Sequence, residues 1–160
     1  MFIRAPRGNR EKGNAGVETV LVIIPLFAIL LGIIDFSVGI FAIDTLGFAA
    51  RQGVRYAVTG QTAAGGQDAA IRKVVKDNSL GFLKDTDDAK ITIDYYALNT
   101  ATNTWQATAA NAGGNLIKVG VVGYSWAWMA PGWRGSSALN INSASADIVE
   151  GCPSGGCPTR

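Results

Sequence analysis

The stretch Gly13-Asn14-Ala15-Gly16-Val17-Glu18 is followed by an apolar run from Thr19 to Ile43 in which Asp35 is the one charged residue. As a helix rising ~1.5 Å per residue, this run is about 37 Å long, more than the ~30 Å of hydrocarbon in a bilayer. A buried core helix would carry one apolar stripe, whereas residues 20–34 are apolar on every side. The sequence therefore predicts a single membrane-spanning helix.

The residues before this run predict its orientation. Four basic side chains precede it, and Glu11 is the one acidic residue among them; the basic residues are Arg4, Arg7, Arg10 and Lys12. Positive charge favours the cytoplasmic side, so we expect the amino end inside and the remaining chain outside. A cleaved secretory signal would have a shorter apolar region and a small-x-small cleavage site, which does not follow Ile43. We therefore expect a permanent membrane anchor.

Glu18 is a carboxylate at the start of the apolar helix. A charge close to the bilayer costs a few kcal/mol unless it is paired or reaches water. We therefore expect a charged residue in this position to have a function. The residues around it, Lys12-Gly13 and then Glu18 as the fifth residue after the glycine, resemble a type IV prepilin processing site. With Pro25, Gly32–Phe36 and Ala49–Ala57, the chain from Gly13 to about Gly60 resembles the TadE-like pseudopilins, or minor pilins, of the Tad (Flp) pilus.

The resemblance implies a processing and assembly mechanism. A prepilin peptidase would cut after Gly13, and the new amino terminus at Asn14 would pair with Glu18 of a neighbouring subunit. The implied partners are other pilin or pseudopilin subunits and the pilus assembly platform, and the implied locations are the bacterial cytoplasmic (inner) membrane and the extracellular pilus. Thr19 departs from the family pattern, which usually has an aromatic residue after the Glu.

The sequence divides into a leader at 1–13, a transmembrane and extended helix at 14–60, and an extracytoplasmic domain at 61–160. The formal net charge is +2, and the leader contributes +3, so the processed chain carries −1. This balance gives no basic surface for nucleic acid.

Periodicity predicts the fold after the anchor. Apolar residues at three- and four-residue steps from Leu46 to Ala57 extend the first helix to Val58, and a second helix has Asp68 in its first turn and Gly81 as its stop. An alternating pattern predicts a strand at 91–98, and three more strands are predicted at 105–108, 116–126 and 139–149, with a bulge or a close backbone approach at the glycines of the third. We expect an α+β, pilin-like fold with a small antiparallel sheet.

Several polar and aromatic residues allow more than one interpretation. Asp35 and Asp44 are expected to be polar residues at the outer membrane boundary, or else to pack partner helices. The three carboxylates of Asp85, Asp87 and Asp88 predict a solvated acidic turn, with a calcium site as the alternative.

Aromatic residues crowd between the last two strands. The segment holds Trp126, Trp128, Met129 and Trp133. These side chains suit a partner-binding loop, a loop at the membrane interface, or packing over the sheet.

The composition argues against catalysis. The chain has no His, and its two cysteines lie in the tail, so the common acid–base and nucleophile constellations are missing. We expect no enzyme activity, cofactor or metal. Two function classes remain: a structural assembly protein that acts through Glu18, and a single-pass anchored binding module that uses its Trp-rich loop.

The two cysteines lead to a first prediction. Cys152 and Cys157 are separated by four turn-forming residues and would lie in an oxidising compartment, so we expect a disulfide rather than free thiols. Non-reducing mass spectrometry should find the tail peptide about two mass units lighter than after reduction, because two thiol hydrogens are lost. Two thiols that alkylate without reductant would show that the bond does not form.

Overall fold

The computed structural model describes residues 10–128, 138–151 and 157–160, with side chains from residue 15. Two helices, α1 (Arg10–Val58) and α2 (Gln67–Asp77), precede a short 3-10 helix, Asp85–Lys90. The four strands are β1 (Ile91–Asn99), β2 (Thr104–Thr108), β3 (Leu116–Trp126) and β4 (Leu139–Ile148). The predicted α+β fold is confirmed, and the strand boundaries differ from the prediction by at most one residue.

The strands form one antiparallel sheet in the order β2-β1-β3-β4. The pairing of β3 with β4 shifts register between Val121 and Tyr124. Gly123, inside this shift, has a φ of 69°, a left-handed conformation that glycine adopts without steric cost. The predicted bulge in the third strand is thus confirmed, and the left-handed conformation explains why residue 123 is a glycine.

The chain divides into two compact units. In the described part of the chain, the first comprises α1 as far as Val38 together with Trp128. The second comprises Gly39–Ala127 with residues 138–151 and 157–160. The rest of α1, from Gly39 to Val58, is therefore a packing element of the second unit.

The core of the second unit lies between helices and sheet. The apolar stripe predicted on α1 is buried: Leu46, Ala49, Ala50, Gly53, Val54 and Ala57. Ile71 and Val75 of α2 and the inward residues of β1 and β3 complete this core. Alternation along β1 places Ile91, Ile93 and Tyr95 on the buried face, because successive strand residues point to opposite sides.

Gly53 sets how closely α1 approaches its neighbours. A Cβ atom there would lie 2.6 Å from Cγ2 of Val75 and 3.3 Å from Cγ1 of Val119. Both distances are shorter than ordinary van der Waals contact. The glycine therefore lets α1 contact α2 and β3 directly. This contact explains why a residue that weakens a helix stands at position 53.

The second helix ends earlier than expected. We predicted a stop at Gly81, but α2 ends at Asp77 with Asn78 as its cap. The Asn78 backbone N–H and side-chain amide both donate to the Val74 carbonyl. The Ser79 hydroxyl also donates to the Lys76 carbonyl. These bonds satisfy the last carbonyls of the helix before Gly81 is reached.

A partly buried polar network joins the chain's tail to the sheet. The Gln67 side chain donates to the Ala57 carbonyl at 3.2 Å, and its backbone N–H donates to the Thr159 carbonyl at 2.8 Å. The Arg160 guanidinium pairs with Asp68 at 3.0 Å and lies 4.5 Å from the centre of the Tyr95 ring. Burial, followed by the nearby Asp68 carboxylate, raises the pKa of Tyr95 to about 12. The sequence pattern gave no signal for this network, because its members are scattered along the chain.

The close approach at Gly53 leads to a stability prediction. Overpacking costs about 1–3 kcal/mol, more than the roughly 1 kcal/mol that alanine gains over glycine in a helix. Gly53→Ala should therefore lower the free energy of unfolding, measured by chemical denaturation of the full chain in detergent. Gly39→Ala is the matched control, because its Cβ would meet Trp126 Nε1 at 4.0 Å. Equal stability of the two variants would contradict the packing account.

Candidate functional site

The first part of α1 presents an uncovered apolar surface. Every residue from Ala15 to Leu31 is exposed, including Leu21 at 71 %. In the described part of the chain, Ala15–Val58 is the one helix long and apolar enough to cross a membrane, and only 6 % of its most apolar window is buried. A core helix would be mostly covered, so this helix fits a membrane anchor.

Glu18 is the charged group on this surface. The neighbouring hydroxyl of Thr19 is satisfied within the helix, because it donates to the Ala15 carbonyl at 2.8 Å. Ser37 does the same, with the Ile33 carbonyl at 2.7 Å. Glu18 is exposed, and no other described residue hydrogen-bonds or ion-pairs with it. The carboxylate is therefore available to a partner outside the described chain.

The predicted processing site lies within α1. The helix begins at Arg10, so the peptide bond between Gly13 and Asn14 is in its first turns. A cut there would leave a helix that starts at Asn14, with its first N–H groups free of intrahelical partners. Glu18 would follow about one turn later, where the positive end of the helix dipole favours a carboxylate.

The two aspartates expected at the membrane boundary differ from each other. Asp44 is exposed, whereas Asp35 is 1 % exposed, so the two residues have different surroundings, and their assignment to the membrane boundary stays a prediction. The burial of Asp35 follows from helical spacing. Gly32, Asp35, Gly39 and Ala42 are all buried and recur at three- and four-residue steps, which place them on one face of α1. This spacing was the signal in the sequence.

The acidic segment is paired with lysines. Lys76 Nζ lies 3.0 Å from Asp88 and 3.5 Å from Asp85, and Lys90 Nζ lies 2.9 Å from Asp87. The hydrogen bond from the Lys84 backbone N–H, and then Lys90, lower the pKa of Asp87, while Asp88 raises the pKa of Lys76. Among the described residues no group of three potential ligands could hold a metal ion. The segment is an ion-paired turn.

The described tryptophans are engaged in packing. Trp126 is the last residue of β3, and its ring centre lies 6.5 Å from that of Phe82. Trp128 lies 5.4 Å from Phe36, again between ring centres. Met129 and Trp133, the other members of the predicted loop, lie outside the described residues. The geometry of the two described side chains supports the packing interpretation for them.

An aromatic cluster in the second unit was missed from the sequence. Phe82 contacts Phe41 of α1 and Tyr124 of β3, with ring centres 5.9 and 6.1 Å apart. Lys90 Nζ lies 5.7 Å from the Tyr124 ring centre. These residues come from a helix, a loop and a strand, so no single period relates them.

The predicted disulfide is not tested by the structure. Cys157 is described and exposed, whereas Cys152 lies outside the described residues. The pairing of Cys152 with Cys157 therefore stays a prediction.

A long exposed apolar helix, followed by a short helix and a four-stranded antiparallel sheet, fits a membrane-anchored protein with an α+β domain. Residues 13–55 match the TadE-like protein family, which confirms the resemblance over that segment. No curated protein and no solved structure matches the chain. The family match supports a minor-pilin role associated with the Tad pilus.

Proposed function

We propose that this protein is a minor pilin that is cleaved after Gly13 and joins a Tad pilus by packing its α1 helix against other subunits. The observation that carries the proposal is the exposed apolar surface of α1 with Glu18 as its charged group. Such a surface requires either lipid or other apolar helices around it. A pilus subunit is surrounded by lipid while it lies in the membrane, and by other apolar helices once it is in the assembly.

Electrostatics gives Glu18 its role. Cleavage creates a charged amine at Asn14, at the apolar boundary where a lone charge is disfavoured. A Glu18 carboxylate from an adjacent subunit neutralises this amine and fixes the axial register between two helices. Pairing within one helix is the competing arrangement, because Asn14 and Glu18 are four residues apart. The free Glu18 carboxylate in the uncleaved chain is compatible with both.

The remaining features of the proposal follow from the anchor. The amino end lies in the cytoplasm, the second unit lies outside, and the partners are pilin subunits, the assembly platform and the prepilin peptidase. The function is structural rather than catalytic. The alternative, an anchored binding module that uses its tryptophans, is less favoured because Trp126 and Trp128 both pack against aromatic neighbours.

The test is the variant Glu18→Ala in a strain without another source of the protein. Removing a charge from an apolar helix should leave membrane insertion unharmed. Loss of the pairing carboxylate should reduce crosslinking to pilin partners and the number of pili by about tenfold or more, because a desolvated ion pair is lost. Crosslinking is measured in intact cells, and pili are counted in electron micrographs.

Thr19→Val is the matched control for Glu18→Ala. Its hydroxyl bonds within its own helix, so its loss should leave piliation unchanged. Normal piliation by the Glu18→Ala strain would refute the assembly role. Equal loss in both variants would indicate general damage to the helix instead of a missing carboxylate.

A further inference from the structure

An exposed apolar patch lies on the second unit, next to the point in the sequence where the apolar run ends. We call it the interfacial patch, and its members are Ile40, Phe41, Leu80 and Phe82. Three of them are strongly exposed: Ile40 at 58 %, Phe41 at 52 % and Leu80 at 72 %. Phe82 is half-buried against the core, and its ring centre lies 5.9 Å from that of Phe41.

Leu80 is the most informative member of the interfacial patch. Its φ is 51°, in the left-handed region that side chains other than those of Gly, Asn and Asp seldom adopt. Burial would be the usual compensation for such strain, but this side chain is 72 % exposed. An uncompensated backbone outlier at an exposed apolar residue points to a function.

The turn that carries Leu80 is firmly held. Ser79 is fully buried; its carbonyl accepts the Phe82 N–H at 3.0 Å, and its hydroxyl accepts the Leu83 N–H at 3.1 Å. Gly81 supplies a second left-handed residue, with a φ of 84°. These bonds fix the direction of the turn, so Leu80 is presented to its surroundings by a built structure.

The position of the patch along α1 identifies what covers it. Ile40 and Phe41 continue the apolar run directly, and a helix from Glu18 to Phe41 is about 35 Å long, slightly more than the ~30 Å of bilayer hydrocarbon and less than the ~40–45 Å that includes the headgroups. Phe41 therefore falls near the headgroup–acyl boundary, into which Phe and Leu side chains of interfacial segments insert. Phe82 contacts Phe41, and Leu80 lies two residues from Phe82.

We propose that the interfacial patch inserts into the headgroup–acyl boundary of the outer leaflet. The proposal rests on the membrane anchoring and orientation proposed above but not on pilus assembly. The patch would bury its exposed apolar side chains in the interface, as the apolar residues of interfacial segments do.

The experiment uses the full chain with Cys152→Ser and Cys157→Ser, so that one new cysteine can carry an environment-sensitive NBD label. The test site is Leu80→Cys, and the matched control is Leu98→Cys on β1, an exposed leucine at 42 %. Each is reconstituted at low protein-to-lipid ratio into phosphatidylethanolamine–phosphatidylglycerol vesicles containing lipids brominated near the headgroup. Quenching of the label measures its contact with lipid.

At position 80 we expect blue-shifted emission and at least about a twofold loss of intensity with brominated lipid, because the label lies at the boundary. At position 98 we expect water-like emission that iodide quenches. If the label at 80 behaves like the label at 98 in protein that floats with the vesicles, the patch does not contact lipid. Failure to float would overturn the anchor as well. If the label at position 80 is protected from iodide only when the protein-to-lipid ratio is raised, a second copy of the protein covers the patch, and the lipid contact is overturned.

Discussion

The structure depends on one constraint: the rest of the described chain leaves the apolar surface on the first part of α1 uncovered. About 25 cal/mol per Å² of exposed apolar surface opposes leaving such a helix in water. The protein therefore requires a lipid or protein environment for residues 15–34.

The same helix has a second function in its later residues. From Ala42 to Ala57, small residues on the buried face let the helix contact α2 and the sheet, and Gly53 marks the closest approach. A larger side chain at these positions would separate the helix from the sheet. The same helix thus supplies the anchor and part of the core of the second unit. A mutation in α1 therefore affects either the exposed apolar surface or the core packing, according to its position.

Sequence reasoning succeeded where a local period carries the information. Alternation located the first strand, runs between turn-rich segments located the other three, and three- and four-residue spacing identified the buried stripe of α1. Sequence reasoning overlooked the burial of Asp35, which was assigned by its position near the outer interface, although its spacing from Gly32 and Ala42 places it on the buried face. It failed at the end of α2 because the Asn78 and Ser79 bonds precede the expected glycine. The contact of Phe41 with Phe82, and the conformation of Leu80, are set by tertiary packing that no local pattern encodes.

The exposed helix belongs, as we propose, to a processed pilus subunit and not to an uncleaved anchored receptor, and the two differ at the amino terminus. The most direct measurement is the amino-terminal residue of the protein extracted from membranes of cells that contain the prepilin peptidase. The account predicts Asn14, carrying a free amine four residues before Glu18. Protein that retains the residues before Asn14, in cells that cleave their other prepilins, would contradict it.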